Sequence, residues 1–322
     1  MKPLVECVPD FSEGRDASKI DAIVEAIEGV PGILLLDRTS DPDHNRSVIT
    51  MAGEPEIVLE AALRAAGKAA EVIDLREHMG EHPRIGATDV LPFVPVHGIT
   101  LEECASLARR AGQEVWNRFR IPIYFYEAAA TRPDRKNLAN LRTGNFEGLR
   151  DEVLRNPDRR PDVGDPRLHS SAGAIAVGAR KFLIAYNINL DTPDIEIAKS
   201  VAKAVRQSSG GLPSVKAIAI YLHSRKLAQV SMNLTDFEQT SLRSVFETVK
   251  SEAARLGNGI AGSEIVGLVP QQALDSVAGI DLQLENFSAT QVFENRLQWA
   301  ENKSDDQSAA DRKGVQPEVR SK

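Results

Sequence analysis

Apolar residues along the chain fall into two periods, and the switches between them mark out elements. Leu4 to Val8 reads as a strand, and Asp16 to Glu28 places Ile20, Ile23, Val24 and Ile27 on one helix face. Ile33 to Leu36 is a continuous apolar run suited to a buried strand, Asp37 to Asn45 is polar and expected to be a loop, and Arg46 to Ala52 is strand-like. Pro55 to Leu75 is a long helical pattern, followed by a polar loop and the strand-like run Val90 to Val96. Thr100 is a plausible cap for a helix to about Arg118, and Ile121 to Tyr126 gives another strand. The first half is therefore expected to run strand, helix, strand, strand, helix, strand, with one more helix and strand.

From Ala130 to Arg160 the chain is basic and polar, with room for one or two short helices. Pro161 to Gly173 is rich in proline and glycine and reads as a connection between domains. The second half then repeats the pattern: strands at Lys181 to Ile188, Val215 to Leu222, Leu227 to Leu234 and Glu264 to Val269, helices at Pro193 to Arg206 and Phe237 to Leu256. Both halves follow the order βαββαβ, so the expected fold is α+β, a tandem duplication of two ferredoxin-like subdomains of about 150 residues each. The expected boundaries are 1–178 and 179–300. The tail 301–322 lacks apolar periodicity and is expected to be disordered.

Composition narrows the function. The chain has 322 residues, is 42% hydrophobic and 26% charged, and contains no apolar run near the ~20 residues that cross a bilayer. A net charge of −7 gives no basic field for nucleic acid. The only apolar stretch at the N-terminus is short and interrupted by Glu6, unlike a signal peptide, so a cytoplasmic location is expected. Cys7 and Cys104 lie in a strand-like and a helix-like segment, which predicts buried thiols.

The stretch Gly80-Glu81-His82-Pro83-Arg84-Ile85-Gly86-Ala87-Thr88-Asp89 carries the most suggestive chemistry. His82 is either a positioned proton carrier or a histidine that hydrogen-bonds its own loop, and the spacing leaves both open. His78 and His82 are four residues apart, but Gly80 and Pro83 break the helix that a shared metal would need, and no third ligand stands out. Gly257-Asn258-Gly259-Ile260-Ala261-Gly262 has the spacing of a dinucleotide motif in the wrong context, after a helix and before a strand. Asp37, Asp41 and Asp43 form either a solvated loop or one wall of an active site.

Several stretches together are similar to one family. Val5-Glu6-Cys7-Val8-Pro9-Asp10-Phe11-Ser12-Glu13-Gly14, Asn45-Arg46-Ser47-Val48, Gly80 to Ala87, Gly178 to Leu190, Ala228 to Leu234 and Gly267-Leu268-Val269-Pro270 resemble the glutamate formimidoyltransferases, from about residue 3 to about residue 300. The resemblance implies two ferredoxin-like subdomains with a folate tunnel between them. It implies transfer of a formimidoyl group between N-formimidoyl-L-glutamate and N5 of tetrahydrofolate, in histidine degradation, with His82 as the catalytic proton carrier. It places folate contacts on Gly164, Asp165, Pro166, Arg167, Leu168, His169, Ser170, Ser171, Ala172 and Gly173. Since the electrophile is a cationic amidine, Glu81, Asp37 or Asp41 is expected to support His82, Asp43 being a further candidate. Both substrates are anions, which makes Arg46 and Arg84 candidates for the glutamyl carboxylates and Arg180 and Lys181 for folate. The chain ends before the cyclodeaminase domain of vertebrate members, so a transferase alone is expected, as a homodimer, with tetrahydrofolate as co-substrate and no metal. Transfer of formyl from 5-formyltetrahydrofolate to glutamate, or folate binding without turnover, are the alternative expectations.

Overall fold

Pro9 cuts the first strand line in two. In the computed structural model, which describes residues 2–80 and 83–314, Leu4–Cys7 (β1) and Asp10–Phe11 (β2) run between the same two neighbours on either side of it. Proline has no N–H for the ladder, but its carbonyl still accepts from the Ile49 N–H at 3.1 Å. Helix Ala17–Glu28 (α1) follows, capped by the Asp16 carboxylate on the Ser18 N–H. Strands Leu34–Asp41 (β3) and Arg46–Gly53 (β4) form a hairpin, then helix Pro55–Val72 (α2) leads to strand Thr88–His97 (β5). Helix Leu101–Phe119 (α3) opens on a capping box in which Thr100 and Glu103 satisfy each other's backbone N–H groups. Strand Ile123–Glu127 (β6), short helices Leu138–Leu141 (α4) and Asn145–Glu152 (α5), and strand Ile175–Ala179 (β7) complete this part.

These strands form one sheet in the order β3, β4, the β1/β2 line, β5, β7, β6, with β5, β7 and β6 parallel and the other pairings antiparallel. Three expectations need correction. Residues 37 to 41 belong to β3, because ladder bonds to β4 override their polar character. Strand β7 was not anticipated: its run Ile-Ala-Val-Gly-Ala is short and apolar, buried on both faces, and shows no alternation to read. Nor does Pro161 to Gly173 join domains. The chain divides into two compact units, Met1–Arg180 with Leu297–Lys322, and Lys181–Arg296, so that loop lies inside the first.

The end of that loop is the run-in to β7. Ala87 N–H donates to the Ala172 carbonyl and Ala174 N–H to the Ile85 carbonyl, both at 2.9 Å, and Leu75 N–H donates to Ser171 at 2.8 Å. Gly173 has φ +69, and a Cβ there would sit 2.1 Å from the Ile85 carbonyl oxygen. Glycine is what lets the two backbones approach.

The sheet's two faces differ. Val5, Cys7, Ile49, Met51, Leu91, Phe93, Ile123 and Phe125 belong to the buried core with the apolar stripes of α1, α2 and α3. Alternation turns Glu6, Asp10, Arg46, Thr50, Val94 and Tyr126 to the opposite face. Gly178 is on that face too, since a Cβ on it would meet the Tyr126 ring at 2.5 Å.

In the second unit, strands Ile184–Leu190 (β8), Val215–Leu222 (β9), Leu227–Leu234 (β10) and Ile260–Val266 (β11) form an antiparallel sheet ordered β11, β8, β10, β9. Helices Ile195–Val205 (α6) and Leu242–Arg255 (α7) cover it, burying Tyr186, Ile188, Val230 and Phe246. The opposite face carries Asn187, Asn189 and Gln229 in mutual hydrogen bonds with Glu264. A short helix, Gln271–Asp275 (α8), follows, and helix Phe293–Gly314 (α9) continues past residue 300, where regular structure was expected to end. Its Glu, Gln, Lys and Ala residues favour helix without an apolar stripe.

Gly173→Ala is expected to lower the unfolding free energy by about 3 kcal/mol, from a strained positive φ and a backbone clash together. Urea unfolding measures it. A loss under about 1 kcal/mol would show that the two loops can part without cost.

Candidate active site

Three loops meet at one end of the polar face, and Asn45 ties them. Its backbone is left-handed, φ 51, a conformation asparagine tolerates. The side-chain oxygen accepts from Gly14 N–H at 2.9 Å, the side-chain nitrogen donates to the Met79 carbonyl at 3.1 Å, and the backbone carbonyl accepts from His78 Nε2 at 2.9 Å. A carbonyl only accepts, so His78 carries its hydrogen on Nε2. Nδ1 is then a bare, buried nitrogen that meets no donor among the described residues. Burial pushes the His78 pKa below the ordinary imidazole value, and Arg84 adds to the effect.

The segment after residue 82 is held by Asp89, which is completely buried. One carboxylate oxygen accepts from the Ile85 N–H at 2.6 Å, and the other takes Arg142 Nε at 2.8 Å and Nη2 as well. Arg142 Nη2 is also 3.9 Å from Asp10, which is 2.7 Å from Arg46 Nε. Desolvation opposes the charge of Arg142, but Asp89 and Asp10 outweigh it and raise the pKa of the guanidinium. The result is a chain of alternating charges, Asp89, Arg142, Asp10, Arg46, at the foot of the polar face. Ser12 closes the same loop from the other side, donating through Oγ to the Gly86 carbonyl at 2.8 Å.

His82 and Glu81 lie outside the described residues. Of the aspartates, Asp37 pairs across β3 and β4 with Thr50 and so belongs to the polar face. Asp41 closes the β3–β4 hairpin: it accepts from the Asp43 and His44 N–H groups at 2.9 and 3.0 Å and is 2.6 Å from His44 Nδ1. Its burial raises the pKa, but the His44 contacts win and hold the carboxyl below its ordinary value. Asp43 is exposed in that turn. Arg84 is buried, 2.9 Å from Glu147 and 3.0 Å from the His78 carbonyl, so its charge is engaged in holding the loop.

In the segment 164–173, Gly164, Asp165, Pro166, Arg167 and Ser170 are exposed, while Leu168, Ala172 and Gly173 are buried against the loop that ends at Ala87. His169 Nδ1 accepts from Ala172 N–H at 3.0 Å, and burial lowers its pKa. Arg180 follows β7 and donates its N–H to Phe93. Lys181 belongs to the second unit, 2.8 Å from Asp236 and 3.0 Å from Glu238.

Sequence reasoning missed Glu6, Asp10, Asn45, Asp89 and Arg142. Glu6 had one readable signal, a charge flanked by Val5 and Cys7 in a short buried strand. The two cysteines are free and buried. Among the described residues no group of three or more His, Cys, Asp or Glu side chains is placed to hold a metal ion, and no helix is long and apolar enough to cross a membrane.

Residues 4–180 match the family model of the formiminotransferase domain, N-terminal subdomain, and residues 185–297 match that of the formiminotransferase domain. The glutamate formimidoyltransferase of Streptococcus pyogenes serotype M1 is 47% identical over 298 residues, covering 92% of this chain and 99% of that one. That of Thermoplasma acidophilum is 46% identical over 301 residues, covering 93% and 99%. The formimidoyltransferase-cyclodeaminase of Rattus norvegicus is 46% identical over 280 residues, covering 85% of this chain and 51% of its own.

Two outcomes follow from the geometry. Arg142→Ala leaves Asp89 buried without its counter-charge, so the Ile85 amide is expected to exchange its hydrogen at least roughly tenfold faster, read by mass spectrometry. Unchanged exchange there would show that Asp89 holds the loop without Arg142. His78 and His169 both have depressed native pKa values, so the unfolded chain binds more protons below about pH 6.5. Their contribution is complete above that pH and is lost as pH falls through the native values. Urea midpoints between pH 7.5 and 5 should fall, and fall less in His78→Gln.

Proposed function

Because the chain belongs to the formiminotransferase family, we propose that it is a glutamate formimidoyltransferase, moving a formimidoyl group between N-formimidoyl-L-glutamate and N5 of tetrahydrofolate. Likeness to two such enzymes over 99% of their length carries the reading. Each unit is read as one ferredoxin-like module of a tandem duplication. The strand order β3, β4, β1, β5 in the first unit and β9, β10, β8, β11 in the second supports this, with β7 and β6 as an extension. Cytoplasmic location, a role in histidine degradation and a homodimeric state belong to the same proposal.

Transfer requires N5 to attack the amidinium carbon, which gives a tetrahedral centre bearing three nitrogens. N5 must shed a proton, and the glutamate nitrogen must gain one before its bond to carbon breaks. His82 is assigned that proton, since an imidazole near its ordinary pKa can take it from one nitrogen and give it to the other. Asp37, on the polar face, is the described carboxylate best suited to hold the cationic amidine or orient the imidazole. Asp41 is read as shaping the hairpin and Arg84 as fixing the loop, because each is committed to contacts that do so. Glu81 stays a candidate beside His82. Arg46 is only partly buried and is assigned to a glutamyl carboxylate, Asp10 orienting it. The exposed stretch from Gly164 to Arg167 fits an anionic folate tail, with Arg167 as its cation and Arg180 and Lys181 as further candidates.

The test is a transfer assay with N-formimidoyl-L-glutamate and tetrahydrofolate, repeated with 5-formyltetrahydrofolate and glutamate. His82→Ala is expected to cut kcat by roughly a thousandfold, the scale of positioned acid–base catalysis. Asp37→Asn should lower kcat by about tenfold or more, whereas Asp41→Asn should leave kcat/KM within about threefold. Arg46→Ala should raise KM for formimidoylglutamate by about tenfold and spare that for tetrahydrofolate. Turnover of the formyl pair alone would replace the proposal with the formyl reaction, and binding without turnover of either pair would reduce it to a folate-binding protein.

A further inference from the structure

Glu6 is the least explained group in the first unit. It sits mid-sheet with only 2% of its surface exposed, between Ala52 on β4 and Val94 on β5, and its Oε2 has no hydrogen-bond partner among the described residues. Buried polar atoms are nearly always paired, so an orphaned carboxyl oxygen on a polar face asks for a missing donor. Burial pushes its pKa up to about 8, with Arg180 opposing the shift. As a structural element Glu6 is a poor choice, since an apolar side chain in the same space would carry no desolvation cost.

The geometry points to Glu6 as a ligand-binding residue, its carboxyl releasing any proton it holds to solvent as the ligand enters and then accepting, as a carboxylate, from a planar N–C–N unit that presents two N–H donors. This rests on the transferase reading, in which two such units exist: the 2-amino and N3 edge of the pterin, and the formimidoyl group itself. Spacing favours the pterin. Glu6 and Asp10 pair with Ala52 and Val48, four residues apart on β4, so the Glu6 backbone lies roughly 13 Å along the sheet from that of Asp10, the carboxylate beside Arg46 at the end where residues 83–89 enter β5. A group reacting at that end would leave the far edge of a fused ring system nearer to Glu6. Side chains between are small or apolar, with Thr50, Val48 and Ala52 on β4 and Val90 and Val94 on β5. Gly178 leaves the Tyr126 ring uncovered by any side chain of its own on the same face.

Calorimetric titration of the full chain with tetrahydrofolate, its 2-desamino analogue and N-formimidoyl-L-glutamate tests this. In the wild type, removing the 2-amino group should weaken binding roughly tenfold or more, the scale of a hydrogen bond to a carboxylate. Glu6→Gln, and Glu6→Met as a second variant with no acceptor pair, should bind tetrahydrofolate and the desamino analogue alike, with formimidoylglutamate unaffected. Loss confined to formimidoylglutamate would also support the site and assign it to the amidine. Wild-type affinities retained for all three ligands in a folded variant would overturn the inference and leave the transferase reading intact. A wild type that binds none of the ligands would sink both. Melting temperature separates a structural role: Glu6→Met should melt at or above the wild type while losing discrimination, and a variant that melts lower yet still discriminates would count against ligand binding.

Discussion

Burying the Asp89 carboxylate obliges the protein to surround it with donors. A carboxylate out of water costs several kcal/mol, repaid only where geometry and partners are good. Here the partners are an amide from its own loop, at Ile85, and a guanidinium from far along the chain, at Arg142. The first sets the path of the segment leading from Pro83 into β5. The second ties the basic stretch after β6 to the same point, so Arg142 works as an internal counter-charge. Arg135 pairs with the buried Asp162 in the same way. A net charge of −7 and a locally basic stretch are thus compatible without an anionic polymer as partner.

That requirement explains how one sheet carries two chemistries. Alternation sends every second side chain of β1, β4, β5 and β6 into the helix layer, where apolar packing supplies stability. The remaining side chains are free of that duty, and on them the chain has placed Glu6, Asp10, Arg46, Thr50 and Tyr126. Tyr126 illustrates the environment: burial pushes its hydroxyl pKa well up despite Arg180 and Arg142 nearby. Polar groups in so dry a place interact strongly with one another and with whatever binds. The second unit follows the same division, with Tyr186 and Ile188 inward and a hydrogen-bonded row of Asn187, Asn189 and Gln229 outward.

Much of this was legible because it is local. The stripe of α1, the Thr100 cap and the strand after Asp89 each follow from a few neighbouring residues, and each appears where the pattern placed it. What could not be read depends on partners far away in sequence. Asp37 to Asp41 looks like a loop until β4 pairs with it, and β7 looks like the tail of a linker until β5 and β6 close on either side. Asn45 is an unremarkable turn residue in sequence, and only three hydrogen bonds to separate segments make it a hub. His82 stands out as a candidate only through the flanking motifs, whereas the residues that position its neighbours carry no motif of their own.

Burial and pairing also sort residues that the sequence left equivalent. Arg46 and Arg84 are both arginines beside a candidate histidine loop, and fork geometry alone would let either take a carboxylate. Arg84 has 8% of its side chain exposed and spends its guanidinium on Glu147 and a carbonyl, so presenting it to a substrate would require breaking contacts that hold the loop. Arg46 has 38% exposed and leans on one carboxylate, Asp10, that is itself buried and shared with Arg142. In the proposed transferase, a cation held at its root with an accessible edge is oriented before a carboxylate arrives, which reduces the entropy lost on binding. Register likewise separates Asp41, whose oxygens are occupied by its own hairpin, from Asp37, which lies beside Thr50 on the polar face.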